Sequence, residues 1–560
     1  MTILRGAPPS ESRAWAPDLW RLALVLGLLF SLLLGSRPLS APDEARYSEI
    51  PREMVATGHY ITPHLNGVTY LEKPPLFYWL QAVSIKLFGL SEWSMRLWTG
   101  LFAWIGCLAT YAVGRFLFDR RTGILASVIL ATSFLYYGMS RVVTLDMAVS
   151  VLITLTLYAF LVALRFPMGP VRRRFMWAAF AGAALAVLTK GLIGIVFPML
   201  IIGVWILMLN RWRLLTEIYL PTGFLWFFVI AVPWHVLVQM HNPEFFHYYF
   251  IHQQFSRFLT PISHRPGPPW YFVTVVLLGF FPWSPFLFQA VASTVEFGRE
   301  ARQHRDLELF LFLWAVLIFL FFSASHSKLI PYILPIFPAL ALLVGRYFAR
   351  QWDRPPTRGL NTGYWILAIS GMVLSVVIYF VPKFRPSLHP HSLVIFMHVL
   401  SLILALTSIT AAVLGGRRGL PAAVVAVVAG FSVFLVTLNA AMPDLDIRSI
   451  KPLALALKQR LKPGDEVASY HAYYQDLPFY LRRIVTVVNW RGELGEGLKY
   501  GHYPWMIRGP TFWKQWSSHR TIYMMTPRQE YDHLLPDHRN MYVVLQNPYN
   551  VVVCNKKPVS

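Results

Sequence analysis

One pattern governs what this chain can fold into: about thirteen stretches of roughly 20 mainly apolar residues, each long enough for a helix to cross the hydrocarbon core of a bilayer. They lie near residues 18–36, 95–117, 122–140, 145–164, 175–190, 192–210, 215–238, 269–293, 307–324, 329–348, 363–382, 391–415 and 420–441. The long runs at 122–164 and 175–210 each divide into two. Composition points the same way. Hydrophobic residues make up 56% of the chain and charged ones 14%, against about a quarter charged in soluble domains. A water-soluble core could not hide so much apolar surface, so the expected fold class is a polytopic α-helical membrane protein.

The basic residues test the count. With Arg13 on the cytoplasmic side, alternate loops should be rich in Arg or Lys. They carry Arg115, Arg120 and Arg121; Arg165 and Arg172 to Arg174; Arg211 and Arg213; Arg299, Arg302 and Arg305; Arg346, Arg350, Arg354 and Arg358; and Arg417 and Arg418. Without the two splits that alternation would fail. An odd number of spans then puts the N-terminus in the cytoplasm and everything after about residue 442 outside. The net charge of +23 and the pI of 10.0 thus reflect topology. Short basic clusters between apolar runs, some facing anionic membrane lipid, are not the single patch of a nucleic-acid binder, and no nucleic acid is expected as partner. The two cysteines, Cys107 and Cys554, make no CxxC or multi-cysteine metal framework and read as unpaired thiols. Ser40-Ala41 is a poor cleavage context, so residues 19–34 are expected to stay as a first span.

The expected organisation is a membrane domain over 1–442, with outer loops at 37–94 and 239–268, followed by a soluble domain over 443–560. In the tail, "IRSIKPLALALKQRLKPGDEVASY" reads as a helix, a Pro-Gly turn and a strand. "RIVTVVNW", "TIYMMT" and "NMYVVLQN" read as further strands. A small α/β or α+β domain follows from these.

Ionisable residues gather on the outer side. In "APDEARYSEIPREM" (41–54), Tyr47, Ile50 and Met54 share a helical face and Asp43, Glu44 and Arg46 open the segment. This predicts a helix lying in the interface with its apolar side toward lipid; a merely solvated charged face is the alternative. Asp146 stands at the outer end of a span, where an acid can also simply cap a helix. Glu72 and Lys73 precede an apolar helix opened by prolines, and His326, Lys328 and Tyr332 mark another outer boundary, where Lys328 could snorkel. His252 and Arg257 lie in the aromatic outer loop. Charge at such depth is costly and usually functional. Cations there can grip a lipid phosphate, and carboxylates can orient a sugar, steady an oxocarbenium-like centre or activate an acceptor. That combination fits glycosyl transfer from a polyprenyl-phosphate sugar.

An acidic pair after the first span, an Asp at a later span start, "EKPPLFYW", the "HQQFSRF" loop and "SHSKLIPYILPIFPALALL" resemble the GT-C membrane glycosyltransferases over roughly residues 20–350. Within them, the chain is similar to the family that moves aminoarabinose from undecaprenyl phosphate to lipid A, giving resistance to polymyxin. The resemblance implies a GT-C fold in the bacterial inner membrane, a monomer, and periplasmic chemistry with inversion at the anomeric carbon. It implies Asp43 and Asp146 as essential acids. Lys73, Arg257 and Tyr332 would hold the polyprenyl phosphate, with Arg46 nearby. Glu72 and His252 would bind a divalent metal, zinc in a structural role; two such residues so far apart in the chain do not themselves announce a metal site.

A lipid A phosphate is already an anion at neutral pH and needs no strong base, so in this reading Asp43 binds the donor's ammonium or steadies the reacting centre. In a protein O-mannosyltransferase, the alternative within the same fold, it would be the general base. No G-x-x-x-x-G-K-[ST] loop is present, so ATP hydrolysis is not expected. A transporter would instead place ionisable groups near the midplane with broken inverted repeats.

Overall fold

The computed structural model describes residues 15–256, 267–294, 305–384, 391–446, 448–536 and 540–557. The chain divides into two compact units, one of residues 1–34 and 96–445, the other of residues 35–95 and 446–560.

The first unit is helical. Among the described residues, eight helices are long and apolar enough to cross a membrane: Glu92–Leu117, Leu145–Ala163, Leu220–His241, Asp306–Ala324, Ile330–Gln351, Arg358–Phe384, Ser392–Arg418 and Leu420–Leu445. A ninth span results if Tyr271–Gly279 and Ser284–Ser293, which meet at 109°, are taken together. The other expected spans are shorter, more charged or broken. Trp15–Ser31 and Ile193–Leu209 have 17 residues each, and Pro170–Lys190 carries three consecutive arginines at its start. The expected span at 122–140 is two helices, Arg120–Ala131 and Phe134–Met139.

That break has a physical reason. Irregular backbone at membrane depth is tolerated only where protein satisfies it. Here Phe134 N–H donates to Phe281 O at 3.1 Å, and Trp283 Nε1 donates to Thr132 Oγ1 at 2.9 Å. The two broken segments therefore complete each other's hydrogen bonds. Close packing elsewhere depends on small residues: a Cβ on Gly123 would sit 2.5 Å from the carbonyl oxygen of Tyr111. The buried Asp18 carboxylate ties three helices together, accepting from Arg120 Nε at 2.6 Å and Arg115 Nη1 at 2.8 Å.

The second unit joins two segments far apart in sequence, so the segment expected as an outer loop, 37–94, folds with the C-terminal tail. Its smaller sheet is a hairpin of β1 (His64–Leu65) and β2 (Val68–Thr69). Its larger one contains β3 (Glu466–Tyr470), β4 (Thr486–Val488), β5 (Met506–Ile507), β6 (Ile522–Pro527), β7 (Tyr542–Gln546) and β8 (Asn550–Cys554), in the order β5-β4-β3-β6-β8-β7. The first four strands run parallel, while β8 is antiparallel to both β6 and β7. Ala468, Val488, Met524, Val551 and Val553 build its core with Phe512 and Trp516. Sequence reading finds four of these strands; β5, with two residues, and β8 escape it.

The hairpin turn is Asn66-Gly67, both with positive φ (52° and 72°), the requirement of a tight two-residue turn. Asn66 Nδ2 donates to Val485 O, and Val485 N–H returns a bond to Asn66 Oδ1, both at 2.9 Å. A Cβ on Gly67 would lie 2.6 Å from the Trp505 ring. Gly67→Ala is therefore expected to destabilise this unit by about 1–3 kcal/mol, read as a lower denaturation midpoint of the purified protein.

The interfacial helix expected at 41–54 is corrected by the structure. The helix exists, Asp43–Thr57, but it is buried on nearly every side, against the hairpin and the helices Leu76–Phe88 and Asp476–Leu481. Ile50 and Met54 pack inside protein rather than presenting an apolar side to lipid. The charges tolerate burial because they are paired: Arg52 donates to both oxygens of Glu49, at 2.6 and 2.7 Å, and Arg37 Nη1 to Glu44 at 2.6 Å.

Asp476, at the start of its helix, is buried with Oδ1 lacking a hydrogen-bond partner. Burial pushes its carboxyl up from 3.8 to about 7. The folded state thus keeps this proton to higher pH than the unfolded chain. The associated stability is full below about pH 4 and is lost as pH rises through 7. Asp476→Asn should raise the melting temperature at pH 8 and flatten its fall between pH 5 and 8.

Candidate functional site

In the second unit, Asp43 opens its helix directly after Pro42, which offers no side-chain cap. Its carboxylate is half exposed. One turn later Arg46 pairs with it, and the other arm of the same guanidinium pairs with Glu493. Glu493 belongs to the short turn Gly492–Leu494 and is steadied by Gln475 Nε2 at 3.0 Å. Arg46 also lies 5.1 Å from the Tyr47 ring centre. Burial pushes the Glu493 carboxyl above its ordinary range, and Arg46 opposes that. Glu72 accepts from Tyr70 OH at 3.0 Å and is close enough to act electrostatically on Arg46 and Glu493. Lys73 follows it, half-buried, before Pro74 and Pro75.

This arrangement leaves one carboxylate facing solvent beside a buried arginine whose charge is shared with a second acid. Asp43 can attract a cation or meet developing positive charge, and Arg46 sets its orientation. One turn further, Glu49 and Glu53 are buried around Arg52; burial raises both carboxyls while Arg52 opposes it. Glu53 Oε2 accepts from Gly67 N–H at 2.8 Å, fastening helix to hairpin.

In the first unit, Asp146 sits in the first turn of Leu145–Ala163 and pairs with Lys190, the last residue of Pro170–Lys190. Both side chains are largely buried. The Lys190 ammonium stands 4.6 Å from the centre of the Tyr332 ring. Two residues marked in the sequence, Asp146 and Tyr332, are thus brought together through a third. Lys328 has turned inward, donating to Ser323 O at 2.8 Å and Ser325 O at 3.1 Å. His252, in the π-helix His247–Ser256, stacks on Tyr248 at 5.6 Å, and its Nδ1 is buried without a hydrogen-bond partner. Arg257 lies outside the described residues. Among those described, no three His, Cys, Asp or Glu side chains are grouped to hold a metal; Glu72 belongs to one unit and His252 to the other.

Sequence reasoning passed over Glu493 and saw Lys190 only as a charge at a span boundary, with no role assigned. Lys190 carried a signal, a cation closing the apolar end of its helix. Glu493 carried none, being one acid in a polar turn whose partner lies 447 positions away.

Comparison with known proteins completes the picture. The family model described as dolichyl-phosphate-mannose-protein mannosyltransferase matches residues 39–249, the stretch holding Asp43, Arg46, Glu72, Lys73, Asp146 and Lys190. The aminoarabinose transferase C-terminal domain matches residues 453–555, which include Glu493. The chain is similar to undecaprenyl phosphate-alpha-4-amino-4-deoxy-L-arabinose arabinosyl transferase 1 of Proteus mirabilis, 32% identical over 372 residues that cover 64% of this chain and 65% of that one. It is likewise similar to the corresponding transferase of Aeromonas hydrophila, 30% identical over 371 residues, covering 66% of each. The chain thus spans just under two thirds of these relatives' lengths. The crystal structure of ArnT from Cupriavidus metallidurans bound to undecaprenyl phosphate superposes with a TM-score of 0.84 at 29% identity, covering 97% of this chain and 98% of that one. Its apo form gives 0.82 at 30% identity, with the same coverage. Helical spans, sheet domain, matched family models and near-complete structural superposition agree: the chain belongs to the ArnT-like family of GT-C membrane glycosyltransferases.

Proposed function

We propose that this protein transfers 4-amino-4-deoxy-L-arabinose from undecaprenyl phosphate to a phosphate of lipid A, at the periplasmic face of the bacterial inner membrane, with its N-terminus in the cytoplasm. The observation that carries the reading is the half-exposed Asp43 held by Arg46 and Glu493, within a chain that superposes along almost its whole length on ArnT bound to undecaprenyl phosphate.

A lipid A phosphate oxygen attacks the anomeric carbon. The bond from that carbon to the undecaprenyl phosphate oxygen breaks, its electron pair leaves with the phosphate, and configuration inverts. The nucleophile arrives already deprotonated, so Asp43 acts on charge: it faces the donor's ammonium or the positive charge growing at the anomeric carbon. Lys73, Arg257 and Tyr332 hold the departing phosphate. Arg46 orients Asp43, and Lys190 pairs with Asp146 and holds it in place.

Glu72 and His252 are proposed to hold a structural zinc ion. The partnerless Nδ1 of His252 supports this, and no step of the transfer passes through the metal. Mass spectrometry of purified protein should find about one zinc per chain, reduced in His252→Ala. The protein is proposed to act as a monomer.

The test is the lipid A of cells relying on this chain. Asp43→Asn should remove the aminoarabinose-modified species and polymyxin resistance; unchanged modification would refute the assigned role. The mannosyltransferase match over residues 39–249 favours one second reading, transfer to a protein hydroxyl. Purified enzyme with labelled polyprenyl-linked sugar and each acceptor in turn separates the two.

A further inference from the structure

The membrane unit carries a cavity that the proposed transfer does not use. It lies toward the end of the bundle away from the Asp146–Lys190 pair. From the helix Leu145–Ala163 it is lined by Thr156 and Phe160, about 15–21 Å along the axis from Asp146. Ala179 and Ala183 of Pro170–Lys190 and Gly203 of Ile193–Leu209 leave it room; a Cβ on Gly203 would meet nothing within 4 Å. The space measures about 260 Å³, more than the apolar cavity of about 150 Å³ that takes up benzene. Thr156 is the one polar side chain in its lining, and its hydroxyl is spent on Leu152 O at 2.9 Å. Such a lining suits hydrocarbon rather than water or sugar. The cavity is half-open, with Gly203 and Leu215 exposed at its mouth.

Its rim is basic, and the contacts place the charges together. Ile218 lines the cavity, and Glu217 precedes it. Glu217 accepts from Arg172 Nη2 at 3.1 Å and lies 3.7 Å from Arg213 Nε, so one carboxylate gathers both guanidinium groups. Met176 also lines the cavity. Arg172 and Arg173 stand one turn before it, on the same face of Pro170–Lys190. Arg173 lies 5.1 Å from the centre of the Trp177 ring. Three arginines therefore meet a single glutamate. Arg172 is buried in its pair, whereas Arg173 and Arg213 are exposed.

The rim is also rigid and set at a definite depth. Tyr219 takes a left-handed conformation, φ 53°, which costs an aromatic residue energy that its contacts must supply. Its hydroxyl accepts from Gly169 N–H at 3.0 Å and donates back to Gly169 O at 3.3 Å, tying the rim to the start of Pro170–Lys190. Trp177 Nε1 donates to Thr222 Oγ1 at 3.0 Å, and its ring lies 6.0 Å from that of Trp226. Tryptophans of this kind favour the head-group level of a bilayer. Excess positive charge at that level, beside an apolar cavity, matches an anionic lipid.

We propose that this cavity takes an acyl chain of an anionic phospholipid, whose head-group phosphate rests on Arg173 and Arg213. In the proposed topology the lipid comes from the cytoplasmic leaflet, remote from the reacting sugar. Native mass spectrometry of the full-length protein released from detergent micelles tests it, with phosphatidylglycerol and phosphatidylcholine of identical acyl chains as probes. The wild type should bind phosphatidylglycerol at least tenfold tighter than phosphatidylcholine. Arg173→Gln with Arg213→Gln should abolish that preference; both side chains are exposed and Arg172 still serves Glu217, so an unchanged melting temperature should accompany the loss. Gly203→Phe, whose ring has open space to enter, should weaken both lipids at least tenfold. Asp43→Asn should bind both as the wild type does, so failure here is distinguishable from failure of the transfer reading. Undecaprenyl phosphate should leave bound phosphatidylglycerol in place; displacement one for one would give the cavity to the donor's own tail and overturn the proposal. Equal affinity for the two phospholipids in the wild type, or a preference that survives in the double arginine variant, would overturn it as well.

Discussion

Lys190→Met is expected to lower transfer by at least about a hundredfold and to destabilise the membrane unit by about 3–5 kcal/mol, because it strands the Asp146 carboxylate in a largely buried place. The cost is that of an unpaired buried charge, so neutralising the acid should recover it. Lys190→Met combined with Asp146→Asn should melt close to the wild type yet remain inactive. If the double variant recovers transfer along with stability, the pair serves only to hold two helices together. Tyr332 refines the point. Its ring lies beneath the ammonium, so Tyr332→Leu should weaken donor binding while leaving the Asp146–Lys190 pair intact. A larger effect on KM than on kcat would mark that outcome.

Arg46→Lys is the second change with a large expected effect, despite preserving charge. A guanidinium has separate arms for Asp43 and Glu493; an ammonium is a point charge and cannot hold both in that geometry. Transfer should fall about a hundredfold while the protein stays folded. Arg46→Met goes further and leaves Glu493, already raised by burial, without its counter-charge. That variant should also lose stability, and Glu493→Gln in the same chain should restore it without restoring transfer. Assays of purified variants for melting temperature and turnover together separate the two effects.

What could be read in the sequence follows from where each interaction lives. Membrane class, helical architecture and the tail's sheet come from uniform hydrophobicity and local strand patterning, which need no distant partner. Arg46 and Asp43 are one turn apart, so their pairing is a local matter. Glu493 is not: its role exists only because the tail folds with residues 35–95. The helix Asp43–Thr57 misleads for a related reason. Its charges look made for water, but Arg52 with Glu49 and Arg37 with Glu44 neutralise one another inside protein, a pairing that a one-sided helical projection does not reveal. The broken segments at Thr132 and Phe281 read as continuous spans because nearly every residue is apolar or small; the hydrogen bonds that allow the break come from each other.

Asp43 is proposed to act on charge at the reacting sugar. Single-turnover transfer of labelled aminoarabinose from undecaprenyl phosphate to lipid A by purified protein decides this. Asp43→Asn should reduce the rate by at least about a hundredfold. Wild-type turnover by the Asn variant, or transfer to a peptide hydroxyl in preference to lipid A, would contradict it.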